Sequence, residues 1–545
     1  MRLKTLPRTC LIFLVSLLFI AACQQSQSFS PKLLPLPQDP AIQVYFNHNQ
    51  AQGAEYQEPY RQLTRSGDNL EEVIITAIEG ANSQIDLAIQ ELNLPQIAQA
   101  LVERHQAGIK VRVILENTYN QSWQQLTPRE IKKLDPRKRR RYQDFIALVD
   151  LNQDGQISNQ ERSQRDALDI LVRGGVPIID DTADGTKGTG LMHHKFLIID
   201  NTTVITGSAN FTLSGIHGDL NSLASRGNAN HLLKIDSLRL ASLFSQEFSF
   251  MWGDGVGGEL DSKFGVNKPY RAPQKIPIGD SVVTVQFSPS SPSKPWSDSS
   301  NGLIGNTLDS AEESINLALF VFSEQKLVNV LEKRHFQGVK ISVLIDPNFA
   351  FRYYSEALDM LGIELANQCQ YEADNHPWQT PIKTVGVPQL APTDKLHHKF
   401  GIIDEKTVIT GSQNWSAAAN YQNDEVVLVI NNYTVTAHFN REFERLYNQA
   451  VLGVPKALQT RIQSQKKTCP DLVTPSSWDD IVVELVNVNT ASQKQLEQLP
   501  GIGEKLASRI ISTRQQQPFN SLEDLERVPG IGPHLRQKLE GRVTW

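Results

Sequence analysis

Two histidines, two lysines and two asparagines recur at identical spacing in this chain. Residues 193–210 read HHKFLIIDNTTVITGSAN, and residues 397–414 read HHKFGIIDEKTVITGSQN. Both fit H-x-K-x4-D-x6-G-S-x-N without a gap. His193, Lys195, Asp200, Ser208 and Asn210 thus answer to His397, Lys399, Asp404, Ser412 and Asn414. An imidazole can attack an electrophile or carry a proton. A fixed ammonium and small hydrogen-bond donors stabilise negative charge as it develops. The same set twice in one chain points to a single active site assembled from two halves. A plainer reading is a repeated strand–turn–strand with incidental surface His and Lys. It accounts for the apolar runs but not for the repeated polar residues.

The doubled string resembles the signature of the phospholipase D superfamily. The resemblance implies a shared cleft at a pseudo-twofold interface. One histidine would attack phosphorus to give a phosphohistidine, and the other would protonate the leaving oxygen and then activate water. By that analogy His193 is the nucleophile and His397 the acid. Lys195 and Lys399 would neutralise phosphoryl oxygens, Asn210 and Asn414 would donate to them, and Ser208 and Ser412 would be supporting donors. Asp200 and Asp404, at strand ends, are read as structural. No metal is expected at the catalytic site, since two lysines fill the charge role of a divalent ion. In the family a Glu often follows the motif and orients the histidine. The second copy supplies Glu425, but the first reads Asn228-Ala229-Asn230, with Asn where the Glu would stand. Unlike surroundings for the two histidines suit separate nucleophile and acid roles. His194 and His398 should face the other way, because side chains alternate along a strand.

The elements that must hold these residues are also repeated. From Ile85 the chain reads IDLAIQELNLPQIAQALVERHQAGIKVRVILE, and from Ile315 INLALFVFSEQKLVNVLEKRHFQGVKISVLID. Each predicts strand, amphipathic helix, glycine turn, strand. That order implies parallel pairing and an α/β fold of two pseudo-symmetric sandwich halves. QVYFN (43–47) and TVQFS (284–288) match as first strands.

Ile85 aligns with Ile315 and His193 with His397, so the first copy is longer between its second strand and its motif. The extra residues, about 130–165, hold DLNQDGQISNQE, which fits the D-x-[DN]-x-[DN]-G-x5-E loop of an EF-hand. Asp150, Asn152, Asp154, Gln156, Ser158 and Glu161 are the expected ligands of a structural Ca2+, with Gly155 at the sharp turn. An acidic Asx-turn loop is the alternative. Just upstream, KKLDPRKRRR (132–141) either meets phosphates or anionic headgroups or is a solvated helix face.

Composition bounds the rest. A chain of 545 residues is too long for one core, and its net charge of −6 does not advertise a nucleic-acid binder, so any such claim needs a local site. Arg2, Lys4 and Arg8 precede an apolar run and Ala21-Ala22-Cys23, an export signal over residues 1–22. Ile20-Ala21-Ala22-Cys23 resembles the bacterial lipobox, which implies a lipid on Cys23 and a membrane-anchored protein of the cell envelope. Residues 23–40 suit a tether. The halves are placed at 41–255 and 281–455, joined by a connector at 256–280. Cys369 and Cys469 remain after the signal and the lipid are accounted for, and could pair in an exported protein.

A linker at 456–480 leads to a third unit, 481–545, where PGIG recurs at Pro500–Gly503 and Pro529–Gly532. It resembles the small all-α tandem helix-hairpin-helix domain of bacterial competence DNA receptors. Gly501, Gly503, Gly530 and Gly532 would let backbone N–H groups approach a phosphate, with Lys505 adding charge. A protein-interaction or purely structural role is the alternative. Three functions stay open: a nuclease on DNA or RNA, a phospholipase D or phosphatidyltransferase on membrane lipid, and a DNA receptor with weak or no catalysis.

Overall fold

A computed structural model describes residues 34–48, 55–121, 123, 126–186, 190–469, 486–497, 499, 501–532, 535, 536, 539 and 543–545. The export signal, Cys23 and the first part of the tether lie outside the described residues.

Apolar runs set the strands. In the first half these are β1 (Ile42–Phe46), β2 (Gln84–Ile89), β3 (Lys110–Leu115), β4 (Ile178–Asp180), β5 (Lys195–Ile199), β6 (Thr203–Gly207) and β7 (His231–Asp236). Edge strand β1 alternates buried and half-buried residues, whereas β5 is buried on both faces, as its continuous FLII run requires. Among the described residues they form one seven-stranded sheet in the order β1-β7-β6-β5-β2-β3-β4. Helix α1 (Leu70–Glu79) precedes β2. Helix α2 (Pro95–Gln106) links β2 to β3 in parallel and buries Ile97, Ala98 and Leu101. Gly108, at φ +89°, makes the turn out of α2 that a side chain would strain.

The insertion follows β3. Helix α3 (Pro136–Val149) leads into the acidic loop, and α4 (Asn159–Arg165) and α5 (Ala167–Arg173) leave it. One helix-like run, SQRDALDILV, follows the loop in the sequence. The structure breaks it at Asp166, whose carboxylate accepts from Leu168 and Asp169 N–H and starts α5 afresh. After β7, α6 (Leu238–Trp252) packs back over the sheet.

The second half repeats the plan with β8 (Gln274–Ile278), β9 (Ser281–Ser288), β10 (Ser314–Leu319), β11 (Lys340–Ile345), β12 (Val385–Val387), β13 (Lys399–Ile403), β14 (Thr407–Gly411), β15 (Glu425–Asn431) and β16 (Val451–Leu452). Their order is β8-β9-β15-β14-β13-β10-β11-β12-β16. The register is also repeated: Ile85 lies opposite Ile199, and Ile315 opposite Ile403. Helix α7 (Ser300–Leu308) precedes β10, α8 (Gln325–Phe336) joins β10 to β11, and α9 (Tyr433–Tyr447) closes the repeat. Two features differ from the sequence reading. The end of the connector is strand β8, paired with β9, and the start of the linker is helix α10 (Lys456–Thr468).

One apolar core serves both halves. It joins Phe196 and Val204 of the first sheet, Phe400 and Val408 of the second, and Phe244 of α6 and Phe439 of α9. Separate cores lie beneath α1, α2 and α5 and beneath α7 and α8. The two sheets therefore face each other across α6 and α9 and cannot drift apart without exposing a shared interior. The C-terminal unit has its own core, with Leu496, Ala507, Ile510, Phe519 and Leu539, and a short parallel pairing of Val486–Asn487 with Val543–Thr544. No helix among the described residues is long and apolar enough to cross a membrane.

Cys369 and Cys469 form a disulfide that fastens the end of α10 to the second half across a sequence separation of 100. A cross-link of that span restricts the unfolded chain by about 3–5 kcal/mol. Cys369→Ser should lower the unfolding free energy in urea by that amount, and equal midpoints for oxidised wild type and variant would refute it.

Candidate active site

Each histidine stands two positions before the lysine that opens its strand. His193 and Lys195 stand at the entry of β5, and His397 and Lys399 at the entry of β13. Asn210 and Asn414 follow β6 and β14. All six residues are brought together. His193, His397, Asn210 and Asn414 line one cleft of about 730 Å3. Lys195 and Lys399 lie beneath it, fully buried, each donating to the carbonyl of its own histidine at 2.8 Å.

The cleft is built by exchange between the halves. His193 N–H donates to the Asp424 carbonyl at 3.0 Å, and His397 N–H to the Ala229 carbonyl at 3.1 Å. These backbone bonds place each imidazole beside a side chain of the opposite half. His193 Nδ1 lies 2.7 Å from Glu425 Oε2, and His397 Nδ1 lies 3.0 Å from Asn230 Oδ1. The sequence reading pairs a Glu with the histidine of its own copy. The structure corrects this: Glu425 orients His193, and Asn230 orients His397. Asn230 is therefore a site residue that the sequence marks only as a departure from pattern. Its amide is fixed by donating to the Gly215 carbonyl at 2.7 Å while Ser208 Oγ donates to its oxygen at 2.8 Å.

The serines act on these orienting groups. Ser208 acts on Asn230, and Ser412 hydrogen-bonds Glu425 while accepting from Val426 N–H at 3.0 Å. They steady the orienting groups instead of reaching into the cleft. Asp200 and Asp404 brace turns. Each sits at positive φ in a hairpin turn and accepts backbone N–H bonds, from Asn82, Ser83 and Gln84 in one half and from Glu312, Glu313 and Ser314 in the other. Burial raises the Asp200 carboxyl, but the Gln84 N–H and its neighbours overcome this and hold it at about 2. His194 and His398 face away from the cleft and are held by Glu247 and Glu442.

Two buried ammonium groups and two buried imidazoles gather around one buried carboxyl, Glu425, and destabilise their own charges. Burial, then Lys195 and Lys399, push His193 well below the ordinary histidine range, and burial followed by Lys399 does the same to His397. Burial lowers Lys195 to about 7, and burial with Lys195 beside it holds Lys399 well below the ordinary lysine range. Burial raises the Glu425 carboxyl to about 7 against the pull of Lys195. A monoanion entering this cleft would reverse these shifts, so the site is shaped for a phosphodiester charge.

The halves differ where the substrate would lie. Gln90 accepts from Lys195 at 3.1 Å and Asn210 at 3.3 Å. Its counterpart is Phe320, whose ring lies 5.1 Å from Lys399 Nζ and 4.7 Å from His397. Alignment of Ile85 with Ile315 already sets Gln90 against Phe320, but only the packing shows that both meet the cleft.

The acidic loop shows EF-hand features without closing on a point. Asp150 Oδ2 accepts from Gly155 N–H at 2.9 Å, Gly155 is at φ +79°, and Asp150 Oδ1 is buried without a hydrogen-bond partner. Glu161 spends its carboxylate on Leu151, Asn152 and Ser158 N–H, and Asn152, Asp154, Gln156 and Ser158 are exposed. Among the described residues no three His, Cys, Asp or Glu side chains converge as a metal group.

In the C-terminal unit Gly501 and Gly530 take positive φ, and an added Cβ would strike Leu535 and Leu506 respectively. Gly503 and Gly532 face open space, and no side chain caps the helix α11 (Glu504–Gln516) that Gly503 begins. Lys505 is exposed in its first turn, beside Glu504. Of the basic residues further along these helices, Arg509 is spent on the Pro529 carbonyl and Arg536 on Glu526. Lys538 lies outside the described residues.

Two family models match the chain. The family described as cardiolipin synthase, PLD-like domain, matches residues 74–252 and 304–447, and the helix-hairpin-helix motif matches 483–544. Mouse mitochondrial cardiolipin hydrolase is 30% identical over 159 residues, 29% of this chain and 62% of that protein. A phospholipase D of Rickettsia felis is 31% identical over 127 residues, 23% of this chain and 54% of that protein. The chain thus spans between half and two thirds of these relatives. The phosphatidylserine synthase of Haemophilus influenzae aligns over 80% of this chain and 95% of its own, with TM-score 0.46 and 11% identity. Nuc, a phospholipase D family member of Salmonella typhimurium, aligns over 32% of this chain and all of its own, with TM-score 0.25 and 24% identity.

One consequence is open to direct measurement. In 13C-lysine NMR one resonance should titrate near pH 7 and vanish in Lys195→Met. Every lysine titrating near the ordinary value of about 10.4 would refute the buried, mutually repelling pair.

Proposed function

The chain belongs to the phospholipase D superfamily, and from that premise we propose that it is a phosphodiesterase acting through a phosphohistidine, and specifically a nuclease. The observation that carries the mechanism is the unlike pair of orienting contacts. A carboxylate on Nδ1 keeps the proton there, leaves the Nε2 lone pair of His193 facing the cleft, and stabilises the positive charge that attack on phosphorus creates. An amide on Nδ1 fixes the ring of His397 but stabilises its imidazolium less, so His397 gives up a proton more readily. His193 is therefore the nucleophile. His397 protonates the leaving oxygen, and afterwards takes a proton from the water that releases the phosphoryl group from His193. Lys195 and Lys399 neutralise the non-bridging oxygens, and Asn210 and Asn414 donate to them.

The nuclease reading is supported by the C-terminal unit, where open glycine turns and the uncapped helix α11 suit a nucleic-acid phosphate. Such contacts hold a backbone without reading sequence. A second reading, phospholipid turnover, is favoured by the phenyl ring of Phe320 on the cleft wall and by the names of the curated relatives. A DNA receptor without catalysis is disfavoured by two complete sets of reacting groups.

Cys23, read as a lipidation site, would anchor the protein to a membrane of the cell envelope. The Cys369–Cys469 disulfide suits an oxidising compartment outside the cytosol. The loop at 150–161 would hold a structural Ca2+, with Asp150 Oδ1 supplying the buried oxygen that lacks a partner.

Protein lacking residues 1–22 should cleave DNA or RNA in EDTA. Phospholipid turnover without nucleic-acid cleavage would refute the nuclease reading. His193→Asn should lose about a thousandfold or more in kcat and form no phosphoenzyme, whereas His397→Asn should still trap one. An adduct that only His397→Asn abolishes would reverse the assignment. The pH profile of kcat/KM should be a narrow bell centred near 7. Below that pH Glu425 is protonated and no longer supports the charge on His193, and above it Lys195 loses its ammonium. Glu425→Gln should remove the acid limb. Calcium should raise the melting temperature of wild type and not of Asp150→Ala, and an equal rise in both would exclude the loop as the site.

A further inference from the structure

The insertion places helix α3 along the catalytic cleft. Arg140, Arg141 and Phe145 line the same cavity as His193 and His397. Arg141 is stacked among aromatic rings: its guanidinium carbon lies 4.0 Å from the Tyr119 ring centre and 5.5 Å from that of Trp123. Trp123 is braced by Tyr142 at 5.8 Å and Phe145 at 6.5 Å. Arg141 also reaches Glu91 at 3.7 Å, and Glu91 adjoins Gln90, the residue that holds Lys195 and Asn210. The cluster thus borders the phosphate pocket. Arg140 is more open, with 57% of its side chain exposed and Asp219 at 3.7 Å. The second half lacks this insertion and offers Phe320 and Phe349 on its side of the cleft.

Stacked rings and guanidinium planes recognise flat, unpaired bases, and arginine adds attraction for the neighbouring phosphate. A lipid headgroup offers no π face, and a duplex hides its bases within the stack. Asp144 and Asp219 on the same wall temper its positive charge, so attraction to polyanions alone does not describe the surface. We propose that Tyr119, Trp123, Arg140 and Arg141 form a nucleotide subsite for single-stranded nucleic acid, next to the scissile phosphate. The proposal deepens the nuclease reading and rests on it.

The test uses protein lacking residues 1–22, a single-stranded 12-nucleotide DNA, and bis(p-nitrophenyl) phosphate, which has no neighbouring nucleotide. The quantity read is the ratio of kcat/KM for the oligonucleotide to that for the small diester. Arg141→Ala should lower the ratio about tenfold or more through the KM for DNA. Arg141→Lys should recover part of it, having charge but no planar stack. Arg140→Ala, at the more exposed position, should lower it less and serves if Arg141→Ala is poorly folded. An unchanged ratio in both alanine variants, with wild type cutting DNA, overturns the subsite and leaves the nuclease reading standing. Wild type that cuts no nucleic acid sinks that reading and the subsite with it. If instead Arg141→Ala selectively impairs turnover of anionic phospholipid vesicles, the cluster is a headgroup site and the proposal is wrong.

Discussion

Each imidazole of the doubled motif is held by the other half of the molecule. The bonds from His193 N–H to the Asp424 carbonyl and from His397 N–H to the Ala229 carbonyl lace the two sheets together at the floor of the cleft. Glu425 and Asn230 are carried into place by the same crossing. Neither half alone holds a properly oriented histidine, so the single core shared by both sheets is a requirement of the chemistry as well as of stability. Behind the cleft His231 continues this lacing, bonding to His398 at 3.0 Å and to Thr410 at 2.6 Å.

That crossing turns a near-symmetric sequence into an asymmetric site. The two histidines, lysines and asparagines are related by the repeat, but their partners are not. Carboxylate faces amide at the imidazoles, and an amide faces a phenyl ring at Gln90 and Phe320. Buried charge makes small differences matter, because a group in a dry cleft feels its neighbours far more than one in water. An asymmetric pair can divide attack and proton transfer between its members, which two identical groups do less well.

The parts added to the repeat surround this centre. The insertion supplies a stacked basic wall and the acidic loop, and these are adjacent: α3 carries Arg140 and Arg141 and ends at Val149, immediately before Asp150. The disulfide ties α10 to the second half, close to where the chain leaves for its C-terminal unit. The hairpin unit has a separate core, so it can present its glycine turns without disturbing the catalytic halves.

Much of this was legible in the chain. The doubled motif marks six polar residues of the cleft and its floor, and the strand–helix–strand repeats give the α/β architecture, because both depend on short-range spacing and local periodicity. The turn aspartates could also be read, since a carboxylate at a strand end commonly serves backbone N–H groups. What spacing does not determine is which half a side chain acts upon. Glu425 and Asn230 exchange partners because backbone bonds between distant segments cross at the interface, and nothing local encodes that crossing. The serines read as supporting donors from their place in the motif, but only the fold shows that they act on Asn230 and Glu425. A basic run also reads the same whether it faces water or a cleft. Only the packing of Arg141 against Tyr119 and Trp123, residues well apart in sequence, decided that part of it faces the site.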